Sequence, residues 1–178
     1  MPDREFFRQD AVTLARALVG KLLVRTFPDG RELRLRISET EAYLGVEDSA
    51  CHAHKGKTSR TEVLWRDGGT IYVYLCYGMH EMLNIVSGTE DDPQEVLIRG
   101  VEGYDGPGKL TKALGIDRSL NREDILSCPA LRIEDDGAEV NITSLPRVGI
   151  GYADEVDRGR PLASVIPHKS VYAFWRAS

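Results

Sequence analysis

Sixteen residues in the first third of the chain, ETEAYLGVEDSACHAH from Glu39 to His54, hold four acids, a cysteine and two histidines. Two chemistries fit them. Cys51, His52 and His54, completed by Asp48 or Glu47, have the donor types of a metal site. The strong zinc patterns pair two such motifs, and no second pair accompanies this one. A polar loop whose His54 is satisfied by backbone bonds is therefore the default reading. The second chemistry belongs to Glu41 and Tyr43, two apart at the end of an alternating strand and so on one face. A carboxylate at a strand end, beside an aromatic and before a flexible loop, can act as a general base. An ordinary solvated glutamate fits that position equally well.

A second stretch, IYVYLCYGMHEMLNIV from Ile71 to Val86, reads as a β-hairpin of two alternating arms. Hairpin tips favour Asn, Asp, Gly and Ser. This tip carries Tyr77, Gly78, Met79 and His80. Tyr72, Tyr74 and Cys76 share one face of the first arm, either as core with hydroxyls at an edge or as a stacking platform for a planar ligand. An exposed aromatic and a methionine on a tight turn suit a wedge driven into a base stack.

These residues need a scaffold. The chain has 178 residues, 42% hydrophobic and 29% charged, the composition of one ordinary globular domain. Asp10 caps an expected helix through Val12, Leu14, Ala15, Leu18 and Val19, stopped by Gly20. KLLVRTF is an expected strand, Pro28-Asp29-Gly30 a turn, and Leu33, Leu35 and Ile37 alternate on the return. Gly45 to Lys57 reads as a polar loop, Thr61 to Trp65 as a helical turn, Glu95 to Val101 as a strand and Pro107 to Leu114 as a helix. Asn121 with Asp124 suggests a short cap, and further strands are expected near Val140–Ile142, Arg147–Tyr152 and Val171–Trp175. The sum is α+β, a single domain with a curved, largely antiparallel sheet and flanking helices.

The opening MPDREFFRQD has no apolar h-region, and no apolar run reaches the ~18 residues that span a bilayer. Three cysteines without CxxC spacing fit a reducing cytoplasm. A net charge of −5 argues mildly against nucleic acid, but Lys55, Lys57, Arg60 and Arg66 cluster, as do Lys109, Lys112, Arg118 and Arg122. Acids gather at Glu90–Glu95 and Glu134–Glu139. A basic face with an acidic back and plain solvated surface charge both fit this distribution.

Taken together, REFFRQDAVTLARALVGKLLVR, ETEAYLGVEDSACHAH, GTIYVYLCYGMHEMLNIV, VLIRGVEG, GPGKLTKALGI and RVGIGYA resemble the alkyladenine (3-methyladenine, methylpurine) DNA glycosylase family over nearly the whole chain. The resemblance implies a monofunctional glycosylase of base excision repair, which flips an alkylated or deaminated purine from duplex DNA and hydrolyses its glycosidic bond. On that resemblance Glu41 activates the water, Arg99 stands beside it, and the Val148 carbonyl helps hold the water. Tyr43, His52 and Tyr74 wall the base pocket, with Cys51 at its floor. Asn84 crowds the exocyclic amine of guanine. Tyr77 fills the gap left by the flipped nucleotide, with Met79 beside it and the hairpin protruding into DNA. Thr58, Arg60, Lys109 and Arg118 fall at phosphate-contacting positions. A non-cleaving lesion-binding module and a metal-dependent hydrolase using His52 and His54 are the alternatives.

The resemblance implies no cofactor and no metal, double-stranded damaged DNA as partner, a monomer, no membrane, and a bacterial cytoplasmic, nucleoid-associated setting. The chemistry follows glycoside hydrolysis: a carboxylate stabilises the cationic sugar and deprotonates water. With no lysine in the matching pocket, simple hydrolysis is expected. Cys51 replaces a small residue such as alanine, TSRT replaces a TPRN-like loop, and His80 replaces an aromatic. If Asn84 and Tyr74 line one pocket, the hairpin loop must have odd length, for example Gly78-Met79-His80, or carry a bulge. A two-residue loop at Gly78-Met79 would oppose Asn84 to Val73 and turn it away.

Overall fold

The computed structural model describes residues 1–167. The strand expected near Val171–Trp175 lies outside them. Two helices open the chain. The first, α1 (Arg4–Phe7), is capped by Asp3, which accepts the Phe6 N–H. The second, α2 (Ala11–Leu18), starts where Asp10 accepts the N–H groups of Val12 and Thr13 at 3.0 Å. Its Leu14, Ala15 and Leu18 are buried against the sheet, and removing each leucine from water is worth ~1.5–3 kcal/mol.

Next come β1 (Leu22–Thr26) and β2 (Glu32–Tyr43), then three 3₁₀ turns at Gly45–Glu47, His52–Lys55 and Glu62–Trp65. The hairpin arms are β3 (Ile71–Cys76) and β4 (His80–Ser87), followed by β5 (Gln94–Val101) and the short β6 (Tyr104–Asp105). Helix α3 (Pro107–Leu114) has Pro at its start and a left-handed Gly115 at its end, the usual asymmetry of helix termini. The chain continues through a 3₁₀ turn at Arg118–Leu120 to β7 (Leu131–Glu134), β8 (Thr143–Leu145), α4 (Glu155–Gly159) and β9 (Ala163–Val165).

Among the described residues the strands form one open nine-stranded sheet whose main path runs β3-β4-β5-β2-β1-β7, every pair antiparallel. The expected α+β class is what the structure has. β2 is the spine. Its first half pairs with β1, its second half with β9 on that side, and β5 lies along the other edge. Register breaks between Ile37 and Thr40 mark a bulge, which bends the strand; beyond it Thr40 and Ala42 stay buried against the main core while Glu41 and Tyr43 face the other way. The core itself joins Phe7, Leu14, Leu18 and Leu23 to Ile37, Ile85, Ile98 and Leu110. A second apolar cluster, built on Cys51, Val63, Leu64, Tyr72 and Val86, sits behind the hairpin. No described helix is long and apolar enough to cross a membrane.

Three expectations change. Arg147–Tyr152 is loop, not strand, because Arg147 points inward to a buried acid instead of alternating across a pleat. The strand expected at Val140–Ile142 lies at Thr143–Leu145, where β9 supplies its partner. Asn121 caps no helix: Asp117 caps the Arg118 turn, and the Asn121 amide oxygen accepts the Val73 N–H of β3 at 3.1 Å.

Candidate active site

The bend in β2 delivers Glu41 and Tyr43 to the floor of a 730 Å³ cavity under the hairpin. Glu41 is fully buried. One carboxylate oxygen accepts the Val148 N–H at 2.8 Å and faces Arg99 Nε at 3.1 Å. The other accepts the Tyr43 hydroxyl at 2.8 Å. Arg99 also holds Glu39 at 2.8 Å, so one guanidinium spans two acids. Burial raises the pKa of Glu41, while the Val148 N–H, the Tyr43 hydroxyl and Arg99 pull it back down. Burial outweighs these three partners, so the carboxylate is a stronger base than one in water.

The walls are aromatic. Tyr74 and His52 meet edge to face at 4.6 Å, and Tyr72 lies 5.3 Å from Tyr74. The Tyr72 hydroxyl and His52 Nδ1 are 3.1 Å apart, which fixes the imidazole. Burial, with the charges of Arg60 and Lys55, pushes the His52 pKa down to about 4, so the ring is neutral at physiological pH. Burial likewise pushes the Cys51 thiol up, leaving it an inert apolar floor.

The wall loops are pinned by a pair that sequence patterns did not reveal. Arg147 and Asp48 have fully buried side chains and meet at 2.5 and 2.9 Å. Asp48 also accepts the N–H groups of Leu44 and Ala50, while Arg147 donates to the Ala42 carbonyl and lies over the Tyr43 ring at 4.6 Å. Tyr152 is a second such residue: it lines the cavity and donates to the Ala50 carbonyl at 2.9 Å. Its only sequence signal was its place within RVGIGYA.

The hairpin loop is Tyr77-Gly78-Met79, since Cys76 opposes His80. The length is odd, one position earlier than the Gly78-Met79-His80 example. Asn84 consequently opposes Tyr72 and shares the face of Tyr72, Tyr74 and Leu97. Its amide donates to the carbonyls of Tyr72 and Met82 at 3.2 and 3.3 Å, and it lies behind the cavity lining. Tyr77 and Met79 are 86% and 73% exposed, the most solvent-facing large apolar groups near the cavity. Tyr77 has φ +49°, a left-handed conformation that costs a residue with a Cβ ~1–2 kcal/mol.

Lys109 and Thr58 are exposed. Thr58 is tied to Thr61 through both its N–H and its hydroxyl. Arg118 pairs with Glu81 on the hairpin at 3.0 Å, and Arg60 lies over the Tyr74 ring at 5.3 Å. His52 and His54 do not converge, because His54 Nδ1 lies 2.8 Å from the Val46 carbonyl. Among the described residues no three His, Cys, Asp or Glu side chains cluster as a metal site would need.

The site thus joins a buried carboxylate to an aromatic slot under an exposed wedge, an arrangement suited to hydrolysis at a planar group. The profile of a family described as methylpurine-DNA glycosylase matches residues 5–106 and 101–169. A protein of Borreliella afzelii (strain PKo) is 45% identical over 168 residues, covering 87% of this chain and 90% of its own. Relatives in Psychrobacter cryohalolentis and Methanocella arvoryzae are 43% and 42% identical, covering 84% and 89% of this chain and 84% and 88% of their own. All three carry the name "Putative 3-methyladenine DNA glycosylase". The class is therefore a DNA glycosylase, an enzyme that hydrolyses the bond between a base and its sugar. The chain belongs to the methylpurine-DNA glycosylase family.

Proposed function

We propose that the protein excises alkylated and deaminated purines from duplex DNA by flipping them into the cavity and attacking the glycosidic bond with a water activated by Glu41. The observation that carries this reading is the Glu41 carboxylate, fully buried at the cavity floor and bracketed by Arg99, the Val148 N–H and Tyr43. Departure of the base leaves positive charge on the sugar, and the carboxylate both steadies that charge and takes the proton of the attacking water. Arg99, shared with Glu39, keeps Glu41 ionised and oriented. The Val148 carbonyl, adjoining an N–H already fixed by Glu41, holds the water.

Tyr74, His52 and Tyr43 stack on the base, and a neutral His52 leaves the slot free of a repelling charge for cationic bases. Tyr77 and Met79 enter the stack as the nucleotide leaves, which offsets the few kcal/mol of lost stacking. Lys109, Arg118, Arg60 and Thr58 hold the phosphates, with Arg118 exchanging Glu81 for DNA. Among the described residues the one lysine lining the cavity is Lys55, exposed on the His52–Lys55 turn, and the buried Glu41 carries the reading as hydrolysis without a Schiff base. The enzyme acts as a monomer on one lesion at a time.

The test is excision from duplex oligonucleotides carrying 3-methyladenine, hypoxanthine or ethenoadenine, with chelator present. Glu41→Gln should retain lesion binding and lose cleavage. Binding without cleavage by the wild type would leave a lesion-binding module instead, and activity lost to chelator would favour metal chemistry.

A further inference from the structure

Glu95 has no part in the chemistry above, yet it lies against the same cavity. It shares one face of β5 with Leu97 and Arg99, both of which line the cavity, and it is 3% exposed. One carboxyl oxygen is 3.9 Å from the thiol of Cys51, itself a lining residue. The other oxygen is buried with no hydrogen-bond partner among the described residues. Native folds rarely leave a buried acceptor orphaned, since that forfeits its hydration without replacement.

A second observation gives the orphan a counterpart. The Arg60 guanidinium, a planar cation, lies over the Tyr74 ring at 5.3 Å on the wall of the same slot. It is also the charge that most strongly favours the ionised form of Glu95. The slot beside Glu95 therefore already attracts a flat positive group.

We propose that Glu95 is a specificity-determining counter-charge behind the base slot, which favours a flipped purine bearing positive charge over a neutral purine of similar size. The inference rests on the cavity being the base pocket. An N3-methylated adenine is cationic and hypoxanthine is neutral; both are flat, and both take the place of Arg60 over Tyr74. Only the cation gains from a carboxylate one residue behind the wall, and in a low-dielectric site that attraction reaches across Cys51.

Burial raises the Glu95 pKa to about 8, with Arg60 drawing it down and Asp48 pushing it up. The other groups that face it are Tyr43 on β2, Cys51, Tyr72 and Tyr74 on β3, and Tyr152; on β4 Val86 stands directly opposite, with the uncharged Asn84 on the same face. As pH rises through about 8 the free carboxyl ionises and its preference for a cation strengthens.

Affinity and single-turnover excision of 3-methyladenine and hypoxanthine in duplex DNA, measured across that range for the wild type and Glu95→Gln, test this. The ratio of the two substrates cancels the shared dependence on Glu41. The wild-type ratio should climb toward the cationic base with rising pH. In Glu95→Gln it should drop by about tenfold at the alkaline end and lose its slope. A flat wild-type ratio overturns the proposal whether or not the variant folds, and so does an unchanged ratio in a folded variant. A wild type that releases neither base overturns the glycosylase reading of the cavity itself, and this inference with it.

Discussion

Two of the three glutamates on strand β2 sit in opposite surroundings. Glu32, at its start, is bracketed by Arg34 and Arg132 in a ladder that continues through Glu134, and its pKa is lowered by those arginines. Glu41, near its end, has its pKa raised by burial. Around Glu32 each acid on β2 and β7 finds an arginine across the sheet, and Arg36–Asp136 and Lys21–Asp135 extend the pattern. Around Glu41 and Glu95 the acids outnumber their partners and both side chains are buried. The first arrangement keeps the sheet edge soluble, and its pairs are individually weak because water competes for them. The second leaves both carboxyls with raised pKa values, because burial outweighs the partners each one has. One strand can do both because the bulge between Ile37 and Thr40 turns its end away from the ladder.

The contrast can be broken at either end. Glu41→Gln should lower single-turnover excision by ~10²–10⁴ while lesion affinity survives, whereas Glu32→Gln should leave excision unchanged. Near-normal cleavage by the first variant removes Glu41 from the chemistry. Asp48→Ala strands a buried guanidinium and should cost ~3–5 kcal/mol in urea unfolding, against ~0–1 kcal/mol for Glu134→Gln in the ladder. Comparable losses at the two sites would show that burial does not separate them.

The pH dependence of stability separates the regions again. In the unfolded chain Glu95 ionises at its ordinary carboxylate pKa, while in the fold it holds its proton to about 8. Its contribution to stability is present below the unfolded pKa and drains away as pH rises to about 8. The Tm should thus fall over that window, and Glu95→Gln should flatten the decline. Ladder acids such as Glu32 have lowered pKa values and act in the opposite sense, losing stability only as pH falls through the acidic range.

The smallest effect lies at the wedge. Tyr77→Gly relieves the left-handed backbone and should raise stability by at most ~1 kcal/mol while weakening base flipping, read with a fluorescent lesion. An unchanged flipping equilibrium would make Tyr77 mere surface.

Local signals carried much of this architecture. The Asp10 cap and Gly20 stop delimit α2, alternation delimits the hairpin, and Pro107 with Gly115 brackets α3. Those elements depend on neighbours in the chain, so short-range patterns report them. Arg147 and Asp48 stand 99 positions apart and are joined only by the fold, which is why Arg147 read as part of a strand. Helix α1 is a single turn held in place by Arg4 on the Gly68 carbonyl and on Asp124. Glu95 was hidden for another reason. In sequence it closes an acidic run from Glu90, and only its spacing to Leu97 and Arg99 marks it as inward-facing. For the candidate site, residue types were legible at Glu41, Tyr43 and Tyr74, but the shared Arg99 and the hydrogen bond from Val148 to Glu41 required strands and loops to meet.

The hairpin is also a cantilever, and its root is clamped on both sides. A Cβ on Gly108 of α3 would stand 2.7 Å from His80 Nδ1, so only glycine lets the helix bear directly on the second arm. Thr111 one turn on donates to the Glu81 carbonyl at 2.9 Å, and Asn121 grips the first arm at Val73. A sideways load on Tyr77 therefore passes into α3 rather than bending the strands. Lys109 rides on that same helix. If, as proposed, Tyr77 enters the duplex and Lys109 holds a phosphate, the two sit on one packed unit, and their separation works as a gauge against the duplex.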